Sequence, residues 1–482
     1  MCIRDRLNKF GLSTKVVVKE WGTLYKQCAD VHDYDMTQWH HSGREDRVDP
    51  NAFLYGLFHS SGDVPGGTNY VGYRSEEYDK VCDAQVQELD KDKRRELVYK
   101  CQSILAEDKP MDWLLHWYTI DAYNNKKCKG WVQTPLGLHN IWSFINVEAE
   151  EGTLIGCWTE DLDNLNPVGT ERWKELAQFE LIYDRLGVID EKGLPKPWAA
   201  KKWEVVDNVT VDVYLRDDLV FHDGVPVKPE DVKFTFDYCK EMKIPRFYPY
   251  AKEIDYIEVD GDRITFHMVR PYAPLFVQLF CFFYILPKHI WEKRKEAPWN
   301  LPIEKPIGSG PFRVEYWEKG EEISLVKWDQ HFAKPKIDRR IWRIITSPEM
   351  RITMLEKGEI HYVPPMAISM GPIVKKLEEN PDITVVKTME FGFTTFHWNN
   401  RREPFSDKAF RQALSHLLPR EEIASEIFYG YAIPGKSPIS PVLEFWHNPN
   451  VRVYPYDPDA AEKILREAGY TRDEKGRWLK PA

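Results

Sequence analysis

Val220-Phe221-His222-Asp223-Gly224-Val225-Pro226, running into Val227-Lys228-Pro229-Glu230-Asp231-Val232-Lys233-Phe234, is the stretch from which the architecture of this 482-residue chain is read. Asp223-Gly224 marks a turn, and Pro229 is tolerated only in the first turn of a helix, where its missing N–H costs nothing. Upstream, residues 209–216 alternate polar and apolar at period two, as a half-buried strand does. Downstream, residues 254–259 and 263–269 bracket Asp260-Gly261-Asp262, a tight hairpin signal. Strand, turn, helix and hairpin in succession predict a mixed α/β or α+β domain.

The same reading extends along the chain. Lys-Val-Val-Val-Lys at 15–19 predicts a strand and 36–39 a short one. Residues 76–106 repeat apolar positions at helical spacing and predict one long helix ended by Pro110, with a buried strand at 113–118. A new unit begins at Thr153: a strand at 153–158, a polar loop at 161–167 and an amphipathic helix at 173–185. Residues 408–415 and 421–428 predict a helix pair, and 459–468 a helix closed by Gly469. No repeat of solenoid period is present.

Length and composition predict two or three domains with a large core: 43% of residues are hydrophobic and 13% aromatic. Lys and Arg number 66 against 76 Asp and Glu, a net charge of -10, which argues against a nucleic-acid partner. Short basic runs such as Lys126-Lys127-Cys128-Lys129 read as solvated surface. Eighteen Trp and 24 Tyr suit either a core or a cleft walled by flat apolar faces. The eight cysteines form no C-x-x-C and there is no H-E-x-x-H, so no zinc site, and no cofactor of any kind, is expected; their even number permits disulfides. His40-His41 comes nearest to a metal-ligand pair, but adjacent side chains diverge on most backbones. No run reaches the roughly 18 apolar residues of a membrane span. The opening Met-Cys-Ile-Arg-Asp-Arg lacks the apolar core of a signal peptide and reads as a non-native scar over 1–6. Leu154-Ile155-Gly156-Cys157 mimics a lipoprotein box, but the acidic residues before it rule that out.

With these segments in place the chain resembles the family 5 extracellular solute-binding proteins, the dipeptide- and oligopeptide-binding receptors of ATP-driven importers. The resemblance rests on 194–205, on Phe221-His222-Asp223-Gly224 followed by Pro229-Glu230-Asp231-Val232-Lys233-Phe234, on 285–291, and on Pro306-Ile307-Gly308-Ser309-Gly310-Pro311-Phe312. It continues through 334–338, 351–360, 405–431 and 456–470. The order departs from the family: 7–150 resemble its carboxyl-terminal third and 153–482 its amino-terminal two-thirds. A fragment spanning two tandem copies, or a circular permutant joined through about 133–152, would each give that order.

The resemblance implies a periplasmic-binding-protein-like, two-lobed α/β fold of type II with an extra inserted domain and a permuted chain order. Lobe I would comprise 116–170 and 300–394, the lobe II insertion 171–299, and lobe III 395–482 followed by 7–115. Hinge crossings would fall near 109–117 and 395–400, closing the cleft on a small-molecule solute. The implied protein is a monomeric, non-catalytic, periplasmic or extracellular receptor, held at the membrane by an ABC transporter permease, with no signal peptide in this chain. Ligand-binding candidates are Trp39, Asp46 and Asp49 in one loop region, Trp158 and Asn164 on the cleft floor, and Trp398 and Asn399 at a crossing. Asp46 would neutralise a peptide ammonium, unless Arg44 or Arg47 pairs with it first. An oligosaccharide receptor of the same fold is the alternative; a glycoside hydrolase with paired carboxylates is a more distant one.

Overall fold

The structure, a computed structural model, describes residues 3–170, 172–366 and 371–480. The chain divides into two compact units, one of residues 1–118 and 389–482, the other of 119–388. The segments expected as crossings, 109–117 and 395–400, both lie in the first unit, and the chain passes between units at Tyr118–Thr119 and Thr388–Met389.

The first unit is built from both ends of the chain. Strand Met36–His41 pairs antiparallel with Phe393–Trp398, from Met36 opposite Trp398 to His41 opposite Phe393. Phe393–Trp398 pairs in turn with the first half of strand Met111–Asn124, which also receives Ala432–Pro434. Leu7, Phe10, Leu114, Trp398, Phe410, Leu414 and Leu465 share one apolar core, so residues far apart in sequence are held together by burial. Helix Ile3–Lys9 takes up most of the expected scar; Met1 and Cys2 lie outside the described residues.

Three expectations change here. The long helix predicted at 76–106 is two, Glu76–Gln87 and Lys91–Asp108. Asp90 breaks it: its carboxylate accepts the N–H groups of Asp92 and Lys93 at 3.0 Å each and starts a new helix. The second helix ends at Lys109 in the left-handed region, just before Pro110. Residues 15–19 belong to no strand; Val16, Val17 and Val18 are 64%, 62% and 91% exposed. β-Branched residues favour extended backbone, but a ladder needs a neighbour. The second helix of the pair, expected at 421–428, is a single short helical turn, Arg420–Glu422, continued as a π-helix over Ile423–Ile427.

The second unit carries two four-stranded sheets. One is antiparallel in the order Ile254–Asp260, Arg263–Met268, Thr210–Leu215, Ala200–Asp207. Gly261 turns its hairpin at φ +64°, and helix Pro229–Glu241 covers it, Phe236 packing edge-on to Phe266 at 5.1 Å. Pro229 stands at the helix start, and the Asp231 carboxylate accepts the N–H groups of Lys228 (2.9 Å) and Lys288 (3.0 Å). His222, beside the preceding turn, donates its backbone N–H to Gly308 O (2.8 Å) and bonds Gly310 O through Nε2 (3.0 Å). A Cβ on Gly308 would lie 2.0 Å from Ile182 O, so only glycine permits that contact. Two of the segments that define the resemblance thus pack on each other.

The other sheet is mixed, ordered Phe312–Glu318, Glu322–Lys327, Arg339–Ile344, Thr153–Trp158, its last pair parallel with Ile344 opposite Trp158. Strand Tyr362–Met366 runs beside Thr153–Trp158, linked by His361 N–H to Ile155 O at 2.7 Å, and pairs with the second half of Met111–Asn124. Helix Trp173–Ile182 ends three residues before the boundary expected at 185.

Candidate functional site

Strand period places Leu154, Gly156 and Trp158 on one face of the second unit's mixed sheet. Trp342 lies across them; a Cβ on Gly156 would come within 2.6 Å of its ring, so the glycine makes room for the indole. Trp158, 2% exposed, ends the strand and meets Trp173 edge-on at 4.9 Å. His139 packs against both, 5.4 Å from each ring. Burial and the nearby Arg340 charge hold its pKa well below the usual imidazole range, so it is neutral at physiological pH.

At the carboxyl end of this strand opens a cavity of ≈ 380 Å³. Trp158, Thr159 and Glu160 form one side, and Arg172, Trp173 and Lys174 at the start of helix Trp173–Ile182 form another. Arg351, from the first turns of helix Pro348–Lys357, and Pro364-Pro365 complete the wall. Ser347 fixes the entry of Arg351's helix by accepting the N–H of Met350 at 3.1 Å.

Three cations and one carboxylate line the cavity among the described residues. Lys174 lies 3.0 Å from Glu160, holding that carboxyl below its usual range, and also donates to the carbonyl of Asp161. Arg172 pairs with Asp163 at 2.5 Å. Arg351 is 6% exposed and has neither an ion pair nor a partner for Nε among the described residues. Its charge draws the Cys157 thiol down, but burial dominates and pushes that thiol up to about 12. The arrangement is suited to recognition: a planar cation for an anionic group and indole surface for an apolar one.

Of the residues singled out in the sequence, Trp158 alone lines this cavity. Asn164, near it in sequence, clamps backbone, donating to Leu301 O (2.8 Å) and accepting from Ile303 N–H (2.8 Å). The other five belong to the first unit. Trp39 is 6% exposed and stacks on His397 (5.2 Å) and Tyr70 (5.3 Å). Asp46, 2% exposed, pairs with Arg44 at 3.2 Å. Asp49 makes a buried two-point ion pair with Arg94, at 2.6 and 2.7 Å. Trp398 is 1% exposed in the apolar core, and Asn399 donates to the carbonyls of Tyr34 (2.8 Å) and His32 (3.0 Å). His40 and His41 do diverge: His40 approaches Glu390 (3.4 Å), whereas His41 Nε2 faces His397 Nε2 at 3.0 Å.

Sequence reasoning missed Arg172, Trp173, Lys174 and Arg351. A cation in a polar helical turn reads as solvated, and only the fold buries Arg351. Among the described residues no cluster of three or more His, Cys, Asp or Glu could hold a metal, seven cysteines are free thiols, and no helix is long and apolar enough to cross a membrane. Cys2 lies outside the described residues.

Comparison with known proteins agrees with this architecture. The family model described as bacterial extracellular solute-binding proteins, family 5 Middle, matches residues 195–480. The dipeptide-binding protein of Escherichia coli (strain K12) is 27% identical over 368 residues, covering 71% of this chain and 67% of that protein. The oligopeptide-binding protein AppA of Bacillus subtilis (strain 168) is 28% identical over 314 residues, 61% of this chain and 55% of that one. Among solved structures, a periplasmic oligopeptide-binding protein of Thermotoga maritima superposes with a TM-score of 0.54 at 25% identity, covering 70% of this chain and 66% of its own. The substrate-binding protein CtaP of Listeria monocytogenes gives 0.53 at 27% identity, covering 66% and 65%. The chain spans 55% to 67% of the length of these two curated relatives. With more than half of its length matched by the family model, this chain belongs to the bacterial extracellular solute-binding proteins of family 5.

Proposed function

We propose that this chain is the extracytoplasmic substrate-binding component of an ABC importer, capturing a peptide-like solute and releasing it unaltered to a permease. The observation that carries this is the cavity at the end of strand Thr153–Trp158, walled by Trp158 and Trp173 and edged with cations. Its volume of ≈ 380 Å³ lies within the range of small-molecule sites, about 300–1,000 Å³. Relatives named for dipeptide and oligopeptide binding support a peptide as the solute. In the same reading 116–170 and 300–394 form one lobe, 171–299 an inserted lobe whose first residues also line the cavity, and 395–482 with 7–115 a third lobe. The permuted order of these parts belongs to the proposal.

Calorimetric titration of the full chain with di- to pentapeptides tests it. Micromolar binding, about -8 kcal/mol, is expected for the best peptides. Trp173→Ala, which removes an exposed wall of the cavity, should weaken that binding at least tenfold. Absence of binding by any peptide would overturn the assignment.

A further inference from the structure

We propose that the first unit holds a ligand site of its own, a small basic pocket that takes a phosphate-type oxyanion. The pocket has a volume of ≈ 140 Å³ and is walled by stretches distant in sequence. Lys109 reaches it from the end of helix Lys91–Asp108, and Arg420 and Glu421 from the turn Arg420–Glu422. Lys436 comes from just beyond strand Ala432–Pro434, and Arg452 from the run leading to Tyr454.

The charges there do not balance. Asp112 is committed to Arg420 at 2.5 Å and stands 3.6 Å from the Lys109 ammonium. Lys109 and Arg420 are 2% and 5% exposed, so two cations are buried against one carboxylate. At the rim Arg452 bonds Glu107 at 2.8 Å, but Lys408 claims the same carboxylate at 3.3 Å. Among the described residues Lys436 has no ion pair, and exposed Glu421 is the one carboxylate in the wall. Lys109 and Arg452 also share the Tyr454 ring, at 4.7 and 4.9 Å, and cation–π attraction replaces only part of the water a buried cation loses. Burial brings the Lys109 ammonium down to about 8, Asp112 opposing that and Arg420 and Arg452 adding to it. The backbone of Lys109 is left-handed, at φ 48° and ψ 53°, so the fold holds this side chain in place against local preference. One bound anion relieves the excess.

Size and shape narrow the anion. At about 30 Å³ per water the pocket has room for roughly four or five waters, enough for one phosphate group and too little for a peptide. A phosphate offers three strong acceptor oxygens and a charge of about -1.5 to -2, whereas a carboxylate offers two oxygens in one plane. Lys109, Lys436 and Arg452 supply donors from three separate stretches of chain. Free phosphate and a phospholipid headgroup share this chemistry, and the test separates them.

The experiment is calorimetric titration of the full chain with inorganic phosphate, acetate and chloride at constant ionic strength. Flotation with phosphatidylcholine vesicles, with and without phosphatidic acid, runs beside it. One phosphate should bind per chain with a Kd of about 1 mM or tighter, and acetate and chloride about tenfold more weakly or less. Lys436→Gln and Arg452→Gln, both at exposed positions, should each weaken phosphate about tenfold, with circular dichroism as a check on folding. Glu421→Gln should tighten phosphate, and Lys126→Gln, at an exposed lysine of the second unit, should leave it unchanged. Binding confined to phosphatidic acid vesicles and lost in Lys436→Gln supports the site and assigns it to a lipid headgroup. No binding in any arm, equal affinity for acetate and phosphate, or binding untouched by both rim variants overturns the inference. None of these results bears on peptide capture, which is read in its own titration.

Discussion

Asp121→Asn should change how the stability of this protein depends on pH, in a direction fixed by burial. Asp121 lies fully buried on strand Met111–Asn124. One carboxyl oxygen accepts the Tyr362 hydroxyl at 2.6 Å, and the backbone of Leu138 also favours the ionised form. Burial outweighs the help from Tyr362 and raises the pKa from 3.8 to about 7. In the folded chain the group therefore stays protonated up to about pH 7, while in the unfolded chain it ionises near pH 4. Its contribution to stability is fully present below pH 4 and is lost progressively as pH rises through 7. Three pH units at about 1.36 kcal/mol each give a loss on the order of 4 kcal/mol. Asparagine keeps an acceptor for Tyr362 and cannot ionise, so the variant avoids this loss. Urea unfolding of both proteins at pH 4.5, 5.5, 6.5 and 7.5, followed by circular dichroism, reads the difference as a slope. The stability of the variant relative to wild type should rise across this range by about 3–4 kcal/mol and level off above pH 7. A difference that stays flat, or that falls with pH, is incompatible with a raised carboxyl pKa at Asp121.

Three further substitutions test packing. Asp49→Asn leaves Arg94 buried without its counter-charge and should cost about 3–5 kcal/mol in urea unfolding. Trp398→Ala empties a site 1% exposed in the first unit's core and should cost about 3–5 kcal/mol by the same measurement. Gly156→Ala places a methyl group 2.6 Å from the Trp342 ring; it should cost about 1–3 kcal/mol and shift the tryptophan emission spectrum.

The sequence was most legible where local chemistry and final packing agree. Pro229 opens its helix because its ring fixes φ, and Asp260-Gly261-Asp262 turns its hairpin because glycine reaches positive φ without strain, whatever surrounds them. The 153–158 strand appears with the bounds read from its apolar run. Expectation and structure part where a competing contact decides. Asp90 splits a continuous helical pattern because its carboxylate satisfies two N–H groups. Val16–Val18 stay out of a sheet because strand propensity does not supply a neighbour. The site was legible only in part. Trp158 follows a recognisable strand, but Trp398 and Asp49 look like ligand contacts in sequence and are held by core packing and by Arg94. Arg351 carried no signal, since burial of a cation is a property of the fold and not of its neighbours in sequence.

As proposed above, this protein captures a small solute and returns it chemically intact. Native mass spectrometry of the full chain incubated with a mixed library of peptides and oligosaccharides tests it most directly, followed by denaturation and analysis of the released ligand. One bound peptide per chain, released at its original mass, is expected. A covalent adduct, a cleaved product, or a spectrum with no bound species at all would contradict it.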